Sequence, residues 1–207
     1  MIGLAGDLLA LTLMSVSTGP FDTMERITPM EAVKRAEDCN LGRVTIRYED
    51  ELQSDIVTVT GAKAPSEEQL ACLDKATGFG IFVELPPSIQ PRFDAIREAR
   101  ASAMVKEGAR EWLSAKGLLS RVPKYVPGTT DDAKFTRDVE KVCGPRAEGA
   151  FQSKYGPHVL NPQWSSKLAM PPKQEDEEFF ACLFNIMSYV GFSVGFIGNE
   201  AYEAPKP

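Results

Sequence analysis

The sequence predicts an α+β fold made of two related helix-strand-strand-helix-strand units. Each is closed by one helix-helix disulfide, and a long basic helix joins them. Three observations carry this. Helix-start signals followed by apolar residues at helical spacing alternate with short β-branched runs. Of four cysteines, two fall in the same frame, Glu-Glu-x-x-Ala-Cys-Leu, at residues 67–73 and again at 177–183. The parts around those frames follow one order in both halves, which points to an internal duplication.

Thr28-Pro29-Met30-Glu31 is a capping-box start with proline at the first helical position, and Met30, Val33 and Ala36 are expected to form the apolar face of the helix that ends at Cys39. Arg43–Tyr48 and Ile56–Thr60 read as two strands, and the polar loop between them makes a hairpin the natural pairing. Ser66-Glu67-Glu68-Gln69 opens the next helix, which carries Leu70, Cys72, Leu73 and Ala76 and stops at Gly78. Gly80–Leu85 is a short apolar strand closed by two prolines.

From Pro91 to Lys116 the pattern is one long helix with a stripe of Met104, Val105, Ala109, Trp112 and Leu113. Residues 92–124 hold eight Lys or Arg against four Asp or Glu, a local +4 that reads as a solvated face with pairs such as Asp94 with Arg97 and Glu107 with Arg110. Residues 118–129 form a proline-punctuated linker. Thr130-Asp131-Asp132 starts a helix through Phe135, Val139 and Val142 that closes at Cys143. Residues 146–173 are the least regular, with Phe151 and Val159-Leu160 as strand candidates, and a last helix runs from Gln174 to Tyr189 before a closing strand.

The boundaries expected are therefore a candidate signal peptide at 1–18, a first unit with the long helix at 27–117, the linker, and a second unit at 130–202. Packing of both units into a single domain is the alternative.

The cysteine arithmetic follows from this order. If the two helices of each unit pack together, Cys39 meets Cys72 and Cys143 meets Cys182, one of three pairings that four cysteines allow. No two cysteines are closer than 33 residues, so neither a zinc site with close ligand pairs nor a Cys-x-x-Cys redox site is indicated.

Leu8–Val16 is an apolar run followed by small residues, which predicts export to a periplasmic or extracellular address with cleavage near Ser17 or Thr18. Arginine and lysine are missing before Arg26, contrary to the usual leader. A second run, 179–198, is twenty residues without a charge, yet Asn185, Ser188 and Ser193 interrupt it and acidic residues flank it, so a membrane span there is disfavoured.

A net charge of -6 and a pI near 5.0 argue against a nucleic-acid partner. The only histidine, His158, lies in a loop with Tyr155 and Trp164, and these three are the candidate binding residues. The sequence assigns no catalytic residue, cofactor or metal. Glu67-Glu68 and Glu177-Glu178 are expected in the first turns of their helices, where acidic groups face the positive end of the dipole. The expected role is structural or in binding a small molecule or protein, with the ligand between the units or against the His158 loop; a hydrolase using His158 is the alternative.

Overall fold

The computed structural model of the 207-residue chain describes residues 27–167 and 174–195. The candidate signal peptide and the last residues of the expected closing strand lie outside them. Within them the fold is α+β, and two disulfides, Cys39–Cys72 and Cys143–Cys182, each join helical regions with Cα atoms 5.7 Å apart. Both pairings are the ones the order of helices predicts. The chain divides into two compact units between Gln90 and Pro91.

The first unit begins with α1 (Pro29–Asp38), whose N-cap Thr28 accepts a hydrogen bond from the Glu31 backbone N–H. Its buried face is Ala32 and Ala36, which continues to Cys39 at the C-cap. Met30, placed on that face by its spacing, is 73% exposed: the four-residue step Ala32–Ala36, not the Met30-Val33-Ala36 series, points at the core. Strands β1 (Arg43–Glu49) and β2 (Ser54–Thr60) pair antiparallel in an unbroken register from Arg43 opposite Thr60 to Glu49 opposite Ser54. This is the expected hairpin.

Helix α2 (Glu67–Thr77) then crosses to β3 (Phe82–Glu84), which lies parallel to β2 and gives the order β1-β2-β3. Parallel pairing follows from the crossover, because a helix between two strands returns the chain in the same direction. Val57, Val59, Leu70, Leu73, Ile81 and Val83 are buried in this unit. On the other face Arg47 spans all three strands, donating to Thr58 Oγ1 at 3.0 Å and bidentately to Glu84 at 2.7 and 2.8 Å. The guanidinium holds the Glu84 carboxyl below its usual range.

The Ser66 capping box is complete, and its Gln69 does more than cap. Gln69 Oε1 accepts from the Ser66 N–H, while Nε2 donates to the carbonyls of Asn40 at 3.1 Å and Cys39 at 3.4 Å. One amide thus ties the start of α2 to the end of α1, beside their disulfide.

Helix α3 (Gln90–Ala115) is the long helix expected, and its Glu107–Arg110 pair is present with a shortest contact of 2.6 Å. Its stripe is narrower than predicted, for Ala109 and Leu113 are buried whereas Met104 and Val105 are 36% and 46% exposed. The second unit's core gathers Leu113 with Phe135 and Val139 of α4 (Asp132–Cys143), Trp164 of the short α5 (Pro162–Ser165), and Phe179, Leu183, Ile186 and Met187 of α6 (Gln174–Val190). Leu118, Leu119, Val122 and Tyr125, from the proline-punctuated stretch, pack on the same core.

No ladder forms in this unit among the described residues. The strand candidates at Phe151 and Val159-Leu160 reduce to one parallel bridge, Val159 with Gly195. Extended structure needs a partner strand, and Phe151 instead turns inward beside a 3-10 turn at Pro145–Ala147.

The stretch after that turn, residues 149–152, hangs on Glu140, a carboxylate only 4% exposed. It accepts from the N–H groups of Phe151 at 2.7 Å and Gly149 at 3.1 Å and from Gln152 Nε2 at 3.2 Å. The 20-residue uncharged run divides at Gly191, whose φ of +74° ends α6, and no helix among the described residues is long and apolar enough to cross a membrane.

Two outcomes are expected. Replacing Cys143 and Cys182 together by serine removes a closure spanning 39 residues, worth about 4 kcal/mol in the chain-entropy model, and should lower the thermal midpoint by about 10 °C. Glu140→Ala strands three donors and should cost about 2 to 4 kcal/mol by urea denaturation, with Glu140→Gln costing less.

Candidate functional site

The sequence offers Tyr155, His158 and Trp164 as one loop site. The structure sends them to three surroundings. Trp164 is buried on α5, where Nε1 donates to the Arg146 carbonyl at 3.0 Å and the ring meets Phe179 and Phe180 edge-on at 5.4 and 5.5 Å. Tyr155 is half exposed, with the Lys154 ammonium 4.9 Å from its ring centre.

His158 faces a different set. Its ring lies flat on Phe192, 4.4 Å between centres and 1° from parallel, and Phe192 in turn touches Phe135 and Tyr125 at 5.1 Å each. Nδ1 is 3.0 Å from the Ser193 carbonyl and Nε2 is 2.8 Å from Asp132 Oδ2.

Both partners are acceptors, so the arrangement is fully satisfied only when each ring nitrogen carries a proton. The Ser193 carbonyl, opposed by burial and helped by the Asp132 carboxylate, accordingly raises the His158 pKa above its ordinary value. Burial first, and Asp132 second, push the Tyr125 phenol up as well.

Asp132 is the third residue of the Thr130-Asp131-Asp132 start. Asp131 is the cap that accepts from the Lys134 N–H, which leaves Asp132 to turn toward the histidine. The backbone joins in: the Gly195 N–H donates to the His158 carbonyl at 2.6 Å and the Leu160 N–H to the Gly195 carbonyl at 3.2 Å. The histidine is therefore a clip that holds the segment after α6 against the start of α4. In this state neither ring nitrogen has a lone pair for accepting a substrate proton.

A cleft of about 430 Å³ opens instead against the second disulfide. Trp112 and Lys116, four residues apart on or just past the end of α3, share one side of it. The close of α4 gives Val142 and Cys143, and α6 gives Glu178, Phe179 and Cys182. Phe179 and Cys182 are buried, so the floor is an aromatic ring and a disulfide.

Charges stand at the rim. Lys116 Nζ is 3.5 Å from Glu178 and 5.8 Å from the Trp112 ring centre, and the Arg146 guanidinium lies 5.6 Å from that of Phe179. This volume, apolar floor and few rim charges suit a small molecule with a ring or branched apolar body.

Three of the seven positions of the second Glu-Glu-x-x-Ala-Cys-Leu frame or its variable residues, Glu178, Phe179 and Cys182, thus line the cleft. The expectation that both glutamate pairs lie in first turns holds for Glu67 and Glu68, where the Ser66 side chain lowers the Glu68 pKa. It fails for Glu177 and Glu178, because α6 starts at Gln174 and puts them fourth and fifth, where Glu178 meets Lys116. The i, i+4 spacing of Trp112 and Lys116 was the one local signal of the cleft.

Comparison with family models, with curated proteins and with solved structures returned no match to this chain.

The clip has a pH signature. Because the folded His158 pKa is raised, its contribution is complete below the unfolded value of about 6.5 and is lost as pH rises through the folded value. The thermal midpoint of the wild type should exceed that of His158→Asn at pH 5.5, and the gap should narrow by pH 8.5 in calorimetric scans.

Proposed function

We propose that this chain is an exported protein, periplasmic or secreted, that is held by two disulfides and acts by binding a small molecule or partner in the cleft beside Cys143–Cys182. The observation that carries the reading is the full use of the cysteines: both pairs are bonded and none is free among the described residues. Such bonds form and persist in oxidising compartments and are rare in the cytosol. The apolar run Leu8–Val16 supports the same address. The cleft supports the binding role through its floor of Phe179 and the disulfide and its wall of Trp112.

The same reading takes the two units as copies of one ancestral segment. Each disulfide runs from the C-terminal end of a capped helix, Cys39 or Cys143, into a helix of the Glu-Glu-x-x-Ala-Cys-Leu frame, and each frame helix stops at a glycine of positive φ, Gly78 at 62° and Gly191 at 74°. The hydrolase alternative centred on His158 requires one ring nitrogen to leave Asp132 or Ser193.

The test is to express the full chain, fractionate the cells, and map the mature protein without reduction. Recovery outside the cytoplasm with a new N-terminus near Ser17–Gly19 and both bonds formed is the expected result; an intact cytoplasmic chain with free thiols would overturn it. The exported protein is then screened by thermal shift against metabolites. A hit should raise the midpoint of the wild type and fail to do so for Trp112→Ala.

A further inference from the structure

Strand β1 occupies one edge of the first unit's sheet. Its inner side pairs with β2 along all seven residues, and no main-chain hydrogen bond reaches its outer side from the described residues. An antiparallel edge of this length leaves alternate N–H and C=O groups open. Several devices that usually close such an edge are missing: Arg43–Glu49 holds no proline or lysine and its register has no bulge, although it carries three charged residues.

The side chains of the edge complement themselves. When two copies of Arg-Val-Thr-Ile-Arg-Tyr-Glu are laid antiparallel about Ile46, Arg43 faces Glu49 twice, Thr45 faces Arg47, and Val44 faces Tyr48. Opposite residues of an antiparallel pair lie on one face, so registers that keep a continuous sheet differ from this one by two residues. One step in one direction sets Arg43 against Arg47, and one step in the other sets Arg47 against its own copy. Of the three, only the Ile46 register sets unlike charges, Arg43 and Glu49, directly opposite within the strand, and such pairs stabilise an antiparallel ladder.

Two further facts agree. Arg43 is exposed and makes no ion pair among the described residues. Tyr48, on the same face as buried Val44, is 59% exposed and would meet the second copy's Val44.

We propose that β1 is the docking edge for a second copy of this chain, the two strands pairing antiparallel about Ile46 so that two three-stranded sheets become one of six. Edge pairing of this size makes a weak, concentration-dependent dimer. The Arg43–Glu49 crosses set its register.

The test uses the full oxidised chain in sedimentation equilibrium over about 5 to 300 µM, a range chosen for a weak interface. The wild type should pass from monomer to dimer. Arg43→Glu and Glu49→Arg each turn both crosses into like-charge pairs and should weaken the dimer about tenfold or more. The double exchange, R43E with E49R, rebuilds the crosses in reverse and should return to within about threefold of the wild type. Thermal midpoints confirm that each variant is folded, since both positions are at the surface of the sheet. A chain that stays monomeric at the highest concentration overturns the proposal. So does a dimer that the single exchanges leave intact, or one that the double exchange fails to restore.

Discussion

A covalent bond between the end of one helix and the body of the next sets the geometry of each unit, and most other contacts follow from it. In the first unit the sheet is too small to stand by itself: three strands, one of them only three residues long. Cys39–Cys72 fixes α1 against α2, and the pair of helices becomes the surface over which Val44, Val57 and Val59 are buried. In the second unit no ladder is available among the described residues, so Cys143–Cys182 holds the close of α4 on α6 and the aromatic core condenses around that crossing.

The second crossing explains why the cleft sits where it does. A disulfide fills less space than two large side chains, so the helices meet at Cys143 and Cys182 while Trp112, Val142 and Phe179 stand back around the bond. Polar anchors then keep the surrounding loops in place. Glu140 gathers the chain from 149 to 152 by three hydrogen bonds, and His158 fastens the segment after α6 to the head of α4. The unit is thus closed at one end by a buried acid and at the other by a clip on the surface.

What the sequence made legible was local. Ser66 and Gln69 announce α2 three residues apart, Thr28 and Pro29 announce α1, and the helix ends at Cys39 and Cys143 make the disulfide pairing an inference from order alone. What it hid was long-range. Glu140 sits on a helix where an acid ordinarily faces water, and only the return of Gly149 and Phe151 gives it donors. Asp132 looked like one more capping residue until a histidine 26 positions later arrived beside it. Trp164 and His158 share a loop in sequence but are drawn apart, one to the Arg146 carbonyl and the other to Phe192. The parallel placing of β3 likewise depends on where α2 returns the chain.

The reach of Gln69 across to the end of α1 bears on the order of folding events. Helix and hairpin formation take microseconds, whereas thiol oxidation takes seconds to hours. The amide contacts to the Cys39 and Asn40 carbonyls need no oxidation to form, since they join a neutral side chain to two backbone carbonyls. In the folded unit these contacts hold the start of α2 at the end of α1, three residues before Cys72, where the Cys39–Cys72 bond lies. A neutral side chain that takes no part in the bond thus supports the same helix pairing as the disulfide, one of the three pairings that four cysteines allow.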